Sequence, residues 1–257
     1  MKSIAIIPAR GGSKRIPRKN IKSFCGKPII AYSIGAALES NIFDEVMVST
    51  DDKEIAEIAS SYGAKVPFFR SPEMSSDTAM TVPVLLEVLG EYKKCGKEYD
   101  LVCCIYPTAP FINSARLCES MNKLEECNAD SVLPVVKYSY PPQRALIIRE
   151  NKLKMIYPKN YNVRSQDLEP IYHDAGQFYF LKTETLKNEQ TLYCGYSIPI
   201  ILPEVEVQDI DNEEDWNIAE MKYRILNKGS QVLNPVIACD FGGGGNLVKA
   251  PIWGIAA

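Results

Sequence analysis

Motifs for zinc binding and long hydrophobic segments are both lacking in this sequence of 257 residues. Its eight cysteines include no C-x-x-C pair and it has one histidine, so a zinc site is not expected. No apolar run reaches the length of a membrane span, and the first residues lack the pattern of a secretory signal. The net charge of −3 argues against a general nucleic-acid binder. We therefore expect a cytoplasmic protein with reduced cysteines and with neither a membrane nor a nucleic acid as its partner.

The two common glycine-rich phosphate motifs, G-x-x-x-x-G-K-[ST] and G-x-G-x-x-G, do not occur either. Residues 4–7 nevertheless predict a buried strand, and the loop after it contains Gly11, Gly12 and Ser13. Backbone N–H groups of such a loop can approach an anion closely, because the glycines carry no side chain. The cations of this loop are Arg10, Lys14, Arg15, Arg18 and Lys19. The pattern predicts a site for a polyphosphate, with a solvated basic loop as the alternative.

Strand-like and helix-like segments alternate along most of the chain. Short apolar runs predict strands at residues 45–49, 66–69, 101–105, 131–136 and 176–181. Amphipathic runs predict helices at 28–39, 114–127 and 212–226, one that starts at 50–52 and one that ends near 95. The alternation predicts an α/β fold with a three-layer, mostly parallel sheet, in which ligands bind at the carboxyl ends of the strands. The loops expected to meet there are 8–20, 50–52, 70–81 and 106–110.

Two segments depart from this alternation. Residues 138–172 contain four prolines among short strand-like runs, and we interpret them as an arm that leaves the sheet rather than as a long surface loop. Residues 229–257 lack periodicity and contain four consecutive glycines. A phosphate-binding glycine loop is one interpretation of that tail, but we favour a flexible extension or one added for expression. The main domain is then residues 1–228.

Two acidic pairs each follow a predicted strand. Asp209 and Asp211 lie two residues apart at the end of a strand predicted over 206–211, which places both carboxylates on one face. Such a pair suits Mg²⁺, which takes one or two carboxylates together with substrate oxygens, whereas a solvated acidic turn before a helix is the alternative. Asp51 and Asp52 are interpreted as the cap of the following helix and not as metal ligands.

Several motifs resemble the cytidylyltransferases that activate nine-carbon acidic sugars, the CMP-sialic acid synthetase family. The string I-P-A-R-G-G-S-K-x-I-P-x-K-N ends at Asn20, and V-x-D-I-D ends at Asp211. Y-P-T-A-P at 106–110 is similar to the family's Q-P-T-S-P, with Tyr106 in place of glutamine, a departure that bears on the identity of the sugar. Y-S-Y-P-P-Q-R at 138–144 and H-D-A-G-Q-F-Y at 173–179 resemble the branch that uses pseudaminic acid. The resemblance covers about residues 3–226.

This resemblance implies a Rossmann-like nucleotidyltransferase fold and a specific reaction. The anomeric hydroxyl of the sugar, pseudaminic acid by the branch, attacks the α-phosphorus of CTP, and a CMP-sugar and pyrophosphate form. The resemblance also implies that the arm at 138–172 dimerises and reaches into the partner's site, in a homodimer or a dimer of dimers. The alternatives are sialic or legionaminic acid as the sugar, a sugar 1-phosphate nucleotidyltransferase, and a non-catalytic nucleotide-binding scaffold.

The roles of individual residues are also implied by the resemblance. The catalytic candidates are Arg10 and Lys19 on the β- and γ-phosphates, and Asp209 and Asp211 on Mg²⁺. The nucleotide-binding candidates are Gly11, Gly12, Ser13, Asn20, Arg70 and Thr81. From spacing alone, Arg70 and Thr81 fit a capping loop equally well. The sugar-binding candidates are Tyr106, Arg144, Arg164, Gln166, His173 and Gln177. Of these, His173 is interpreted as a pocket residue and not as a general base.

Overall fold

Buried apolar strands form the centre of the protein, whose computed structural model describes residues 1–231. Every residue of Glu45–Ser49 and of Leu101–Ile105 is buried, as expected for strands that helices cover on both faces. In chain order the strands are β1 (Ser3–Pro8), β2 (Ser23–Phe24), β3 (Lys27–Pro28), β4 (Glu45–Ser49), β5 (Leu101–Ile105), β6 (Ser131–Lys137), β7 (Leu146–Arg149), β8 (Lys152–Met155), β9 (Tyr172–Asp174), β10 (Phe178–Lys182) and β11 (Ser197–Leu202).

Helices separate most of these strands. In chain order they are α1 (Ile30–Ser40), α2 (Lys53–Ser61), α3 (Thr81–Lys94), α4 (Ser114–Glu126), α5 (Thr183–Glu189) and α6 (Glu213–Gln231). The Asp52 side chain caps α2 by accepting a hydrogen bond from the Ile55 N–H, which confirms its predicted role. The helix predicted over residues 28–39 begins later, at Ile30. Pro28 lies before it and pairs with Ser23 in the β2–β3 hairpin.

One seven-stranded sheet runs through the protein in the order β11-β6-β10-β5-β1-β4, with β9 paired to β6. β4 and β5 are parallel to β1, and β11 is parallel to β6. β10 is antiparallel to both of its neighbours, β5 and β6, and β9 is antiparallel to β6. Five of the seven strands (β11, β6, β5, β1 and β4) therefore point the same way, which confirms the predicted mostly parallel α/β sheet.

The side chains of β1 alternate between the two hydrophobic layers that flank the sheet. Ile7 packs in a layer that includes Ile34 of α1, whereas Ile6 packs in a layer that includes Leu85 of α3. This alternation is the strand period of two, and it produces the predicted three layers. Both isoleucines are fully buried, so replacing either with alanine should cost about 2–5 kcal/mol of stability.

Two predicted strands do not form. Residues 66–69 do not extend the sheet beyond one bridge between Met47 and Lys65, because Pro67 has no N–H to continue the ladder. Residues 207–211 follow a short 3-10 helix (Glu204–Glu206), and no strand of the described chain pairs with them. Side chains take the place of a neighbouring strand as hydrogen-bond donors to the carbonyl groups here: Gln177 to Glu206, Lys222 to Val207 and Lys19 to Ile210.

One segment leaves the central sheet, and another ends the described part of the chain. Residues 138–171 contain the β7–β8 hairpin, whose strands pair with each other and not with the central sheet. Helix α6 continues to Gln231 and so includes residues 229–231 of the predicted extension, whereas residues 232–257 lie outside the described residues. Within residues 1–231 no helix is long and apolar enough to cross a membrane.

Candidate active site

A cavity of about 260 Å³ opens at the edge of the sheet where β1 and β5 end. The loops 8–20, 70–81 and 106–110 all contribute to its lining. The remaining predicted loop, residues 50–52, supports loop 8–20, because the Asp51 carboxylate accepts a hydrogen bond from the Gly11 N–H at 2.9 Å. The four loops therefore meet as predicted. The predicted site residues in the lining are Arg10, Ser13, Lys19, Asn20, Arg70, Thr81 and Tyr106.

Positive charge dominates this cavity. Its cationic lining residues are Arg10, Lys14, Arg15, Lys19 and Arg70. No aspartate or glutamate of the described chain appears in the lining. Helix α3 begins at Thr81, so its first N–H groups add partial positive charge at the same place. Fixed positive charge in a partly enclosed site favours a polyanion more strongly than the same charge in open water.

The glycine loop is held by the protein itself. The Gly11 N–H bonds to Asp51, and the Ser13 N–H donates to the Gly11 carbonyl at 3.1 Å. A Cβ atom on Gly11 would lie 2.7 Å from a carboxylate oxygen of Asp52, so glycine is required here for close packing against the start of α2. Nothing lies within 4 Å of the corresponding position on Gly12. Gly12 is therefore the glycine of this loop with room for an anion.

Asn20 has a structural role beside the cavity. Its amide group donates a hydrogen bond to the Arg10 carbonyl at 2.9 Å, across ten residues of the loop. The side chain is 6% exposed, so this bond fixes the loop from within. Asn20 therefore holds Arg10 in place, whatever contact it also makes to a ligand.

Lys19 joins the basic loop to the segment that carries the two predicted metal ligands. Its ammonium group donates a hydrogen bond to the Ile210 carbonyl at 2.7 Å. Burial lowers the pKa of Lys19 below its usual value, and the nearby carboxylates of Asp211 and Asp209 oppose that shift. An ammonium group has three N–H donors, so Lys19 keeps donors for a ligand in the cavity. A bound phosphate would restore the solvation that burial removes.

Asp209 and Asp211 lie beside the cavity and not in its lining. Asp211 pairs with Arg15 at 2.6 Å, and the Asp215 side chain holds its backbone N–H at 3.0 Å. No group of three or more His, Cys, Asp or Glu side chains in residues 1–231 is placed to hold a metal. Two carboxylates beside a phosphate-sized cationic cavity nevertheless fit Mg²⁺, because that ion takes its other ligands from phosphate oxygens and water.

Arg70 is a buried cation without a carboxylate partner. It is 8% exposed and forms no salt bridge with any described residue. Its guanidinium donates hydrogen bonds to the Ser49 hydroxyl at 3.0 Å and to the Ser49 carbonyl at 2.5 Å. Burial lowers the pKa of Arg70, although a guanidinium remains charged at any physiological pH. The nearby carboxylates of Asp51 and Glu87 oppose the effect of burial but form no ion pair with Arg70, so an anionic ligand in the cavity would stabilise its charge further.

Arg18 does not join the other cations of its loop, which corrects the sequence-based prediction. Its guanidinium turns toward α2, where it bonds to both carboxylate oxygens of Asp52 at 2.5 and 2.9 Å and to Glu54 at 2.5 Å. The hydrogen bond from Arg18 lowers the pKa of Asp52 to about 2. Arg18 therefore anchors the loop to the cap of α2 and does not face the cavity.

Asp77 of the polar loop 70–81 has ion-pair partners that the sequence did not predict. It pairs with Arg10 at 2.7 Å and with Lys14, and the Arg10 guanidinium also donates to the Ser76 carbonyl at 3.1 Å. These contacts neutralise two cations at the mouth of the cavity. A phosphate group that binds Arg10 and Lys14 must therefore displace the Asp77 carboxylate.

Tyr106 forms one wall of the cavity at the end of β5. Its backbone carbonyl accepts a hydrogen bond from the Ser33 hydroxyl at 2.8 Å, and its backbone N–H donates to the Gln177 carbonyl at 2.8 Å. Its hydroxyl lies 3.3 Å from the Thr81 hydroxyl, within hydrogen-bond distance. Burial raises the pKa of Tyr106, so the phenol stays protonated. Tyr106 and Thr81 therefore form a polar, uncharged part of the lining.

The chain matches the model of the cytidylyltransferase family over residues 4–224. This protein belongs to the cytidylyltransferase family. It is 43% identical over 231 residues to the pseudaminic acid cytidylyltransferase of Campylobacter jejuni subsp. jejuni serotype O:2, which covers 90% of this chain and 100% of that protein. It is 33% identical over 239 residues to the CMP-N,N'-diacetyllegionaminic acid synthase of Legionella pneumophila, which covers 90% of this chain and 100% of that protein.

A solved structure supports the fold. CMP:2-keto-3-deoxy-manno-octonic acid synthetase, complexed with CTP, aligns with a TM-score of 0.64 at 16% identity. The alignment covers 89% of this chain and 100% of that one. The predicted Rossmann-like nucleotidyltransferase fold is confirmed, and at this identity the likeness speaks for the fold alone.

Two predicted sugar-binding residues of this cytidylyltransferase lie outside the lining of the cavity. Gln177 is 4% exposed, and its amide donates to the Glu206 carbonyl at 2.6 Å, so it holds the segment that leads to Asp209. The His173 ring bonds to the Asp174 carbonyl at 2.9 Å and lies 4.8 Å from the Tyr138 ring. The side chains of Gln177 and His173 thus contact other protein groups. Gln177 stabilises the segment that leads to Asp209.

The remaining predicted residues belong to the arm. Arg144 donates a hydrogen bond to the Ser165 hydroxyl at 3.1 Å, and Arg164 pairs with Asp167 at 2.9 Å. Gln166 lies between these contacts on an exposed stretch. None of the three side chains lines the cavity of the described chain. The structure therefore brings the phosphate-binding candidates together and leaves the arm candidates apart from them.

Proposed function

We propose that this cytidylyltransferase transfers CMP from CTP to the anomeric hydroxyl of pseudaminic acid and releases pyrophosphate. The observation that carries the proposal is the cavity at the carboxyl edge of the sheet, with its five cationic side chains. The relative from C. jejuni, 43% identical over 231 residues, supports the choice of sugar. In the reaction the hydroxyl oxygen bonds to the α-phosphorus, the bond from that phosphorus to pyrophosphate breaks, and the hydroxyl proton passes to solvent.

The protein contributes mainly position and charge to such a reaction. Arg10, Lys14 and Lys19 bind the β- and γ-phosphates and stabilise the charge that develops on the leaving pyrophosphate. Arg10 and Lys14 exchange the Asp77 carboxylate for phosphate oxygens when CTP enters. Arg70 and Thr81 meet the cytidine part of CTP at the other end of the cavity. Removal of one such charged donor costs about 10²- to 10³-fold in rate.

Asp209 and Asp211 are the residues that would hold Mg²⁺. The ion supplies charge for the phosphate oxygens and acidifies the attacking hydroxyl when it is bound. Asp211 must then leave its ion pair with Arg15, which frees Arg15 for the phosphates. Lys19 keeps the segment in place through the Ile210 carbonyl, so it also aligns the two carboxylates with the cavity.

The arm supplies the sugar contacts of a neighbouring subunit in this proposal. The β7–β8 hairpin exposes Leu146, Ile148 and Leu153, and an isolated two-stranded hairpin is marginally stable in water. Burial of these side chains against a second copy of the chain would stabilise it. Arg144, Arg164 and Gln166 would then reach the partner's site and meet the sugar carboxylate. In this proposal the catalytic domain extends through α6 to Gln231 and contains the arm at residues 138–171. Its use of CTP favours a location in the cytoplasm.

Pyrophosphate release with CTP and Mg²⁺ tests the proposal. Pseudaminic, N-acetylneuraminic and N,N'-diacetyllegionaminic acid are assayed in parallel, the last because a full-length relative is named for it. Release with pseudaminic acid at a rate at least about tenfold above the others is the expected result. Release with another of the three keeps the reaction and changes the sugar. Binding of CTP without release for any sugar would favour a non-catalytic scaffold.

A further inference from the structure

The carboxylate of Asp77 bridges two cations at the mouth of the cavity. Its Oδ1 atom accepts a hydrogen bond from the Arg10 guanidinium at 2.7 Å, and its Oδ2 atom pairs with the Lys14 ammonium group. Arg10 and Lys14 both line the cavity, whereas Asp77 holds them from outside it. A phosphate group can bind two cations in the same way, with one oxygen on each. The carboxylate is therefore a partner of the two cations that phosphate can replace.

The two ion pairs of Asp77 are open to solvent. The side chain of Asp77 is 45% exposed, and those of Arg10 and Lys14 are 34% and 79% exposed. Exposed ion pairs contribute little free energy, because water screens them, so these pairs break easily. The hydrogen bond from Lys14 is the main cause that lowers the pKa of Asp77, and the carboxylate is therefore charged at neutral pH. Asp77 is thus a weak partner that is always ready to bind again.

Asp77 weakens the binding of any phosphate group that reaches Arg10 and Lys14. Either the phosphate replaces the carboxylate and the two ion pairs are lost, or the carboxylate stays beside the phosphate and the two anions repel each other. In the proposed function these cations bind the β- and γ-phosphates, which CTP and pyrophosphate contain and CMP and the CMP-sugar lack. The competition therefore acts on the triphosphate and on pyrophosphate, but not on the nucleotide product.

We propose that Asp77 is an internal competitor of pyrophosphate, which returns to Arg10 and Lys14 after the transfer and promotes the release of this product. The inference rests on the proposed function, because it concerns the step that follows the same reaction. A cavity with five cationic side chains and no competing carboxylate would bind pyrophosphate tightly, and slow product release limits turnover in many enzymes. Asp77 lowers that affinity without filling the space in which the nucleotide binds.

Isothermal titration calorimetry with pyrophosphate and with CMP, each in the presence of Mg²⁺, tests the inference. Asp77→Asn keeps the size of the side chain and removes its charge. We expect this variant to bind pyrophosphate about three- to tenfold more tightly than wild type, as for the loss of two exposed competing ion pairs. Its affinity for CMP should change by less than about twofold. Added pyrophosphate should also inhibit formation of the CMP-sugar by the variant at a correspondingly lower concentration.

Glu73→Gln is the matched control. Glu73 is an exposed residue of the same loop, and within residues 1–231 its carboxylate forms no ion pair. This variant loses the same charge without freeing a cation, so its affinity for pyrophosphate should stay within about twofold of wild type. Asp77→Glu keeps a carboxylate that can reach the same cations. It should therefore also bind pyrophosphate within about twofold of wild type.

The outcomes separate the inference from the function on which it rests. If Asp77→Asn binds pyrophosphate no more tightly than wild type, the inference is overturned and CMP transfer stays intact. An equal gain of affinity in Glu73→Gln also overturns it, because net charge alone would then be the cause. A wild-type enzyme that binds CTP but releases no pyrophosphate with any of the sugars overturns the proposed function, and the role of Asp77 in product release falls with it.

Discussion

The cationic cavity and the arm carry residues that are predicted to serve the same reaction, but they are built in opposite ways. The cavity lies where β1 and β5 end, and its cations are held by buried groups such as Asn20 and Ser49. The arm is exposed, its hairpin pairs only with itself, and its arginines bond to arm residues. In the proposed function, a single chain therefore contains a complete phosphate site, whereas its sugar site needs a second chain.

This difference separates what each region should affect. The cavity should control the use of CTP, because its charges suit a triphosphate. The arm should control the use of the sugar, and only when a second subunit is present. Variants in the two regions should therefore alter different kinetic constants.

The largest effect is expected at Lys19 in the cavity. Lys19→Ala removes a half-buried cation that lines the cavity and donates to the Ile210 carbonyl. We expect kcat to fall by about 10²- to 10³-fold at saturating CTP and Mg²⁺. Arg18→Ala in the same loop is the control, since Arg18 faces α2. Near-normal turnover of Lys19→Ala would refute the role given to this lysine.

A smaller effect, confined to the sugar, is expected in the arm. Arg144→Ala combined with Arg164→Ala should raise KM for the sugar about tenfold or more, since each removes a charged donor for a carboxylate. KM for CTP should change by less than about twofold. Arg149→Ala, on strand β7 of the same arm, controls for loss of charge. An equal rise in both KM values would contradict the division between cavity and arm.

The pH dependence of CTP use sharpens the assignment of Lys19. Its pKa is lowered by burial, so the side chain loses its charge as pH rises through a value below that of an ordinary lysine. We expect kcat/KM for CTP to fall about tenfold over that alkaline range, because this constant reports the free enzyme. Lys19→Arg should lack the fall, since arginine stays charged. Parallel profiles for both enzymes would contradict the prediction.

The smallest effect on activity is expected at Arg18, where stability changes instead. The pKa of Asp52 is lowered from 3.8 to about 2, chiefly by its hydrogen bond with Arg18. A carboxylate whose pKa is lowered in the folded state stabilises the fold at pH values above its ordinary pKa. This contribution disappears as the pH falls toward about 2. Because the pair is partly exposed, Arg18→Ala should cost about 1–2 kcal/mol at pH 7.

Urea unfolding of wild type and Arg18→Ala between pH 2 and pH 7 measures this difference. The two midpoints should converge at the acid end, and turnover of the variant should stay within about twofold of wild type. A difference in stability that persists unchanged to pH 2 would show that the Asp52 pair is not its source.

Much of the fold could be predicted from the sequence, because its signals are local. The apolar runs of β1, β4 and β5 are short, buried and followed by polar loops, so they indicate a parallel sheet and its ligand-binding edge. Strand β11 was not predicted. It contains Pro199, which has no N–H for the ladder, it exposes Ile201, and it forms an edge of the sheet.

The candidate site was predicted less completely than the fold, because several of its contacts join distant parts of the chain. Arg18 and Lys19 are neighbours in sequence, yet one faces α2 and the other faces the cavity. The segment 206–211 has the alternation of a strand, but its carbonyl groups bond to side chains that no local pattern identifies. Asp77 gains its contacts with Arg10 and Lys14 only when folding brings these residues close. Predicting them requires the fold.

A subunit-mixing experiment tests most directly whether cavity and arm are two halves of one active site. Lys19→Ala and the Arg144→Ala, Arg164→Ala double variant are co-expressed with different tags and purified as the doubly tagged species. At limiting sugar, Lys19→Ala alone should release almost no pyrophosphate, and the double variant alone should keep about a tenth of the wild-type rate or less. The mixed dimer should regain about half of the wild-type rate, because one of its two sites has an intact cavity and an intact arm. A mixed dimer that remains as inactive as its parents would contradict the shared site.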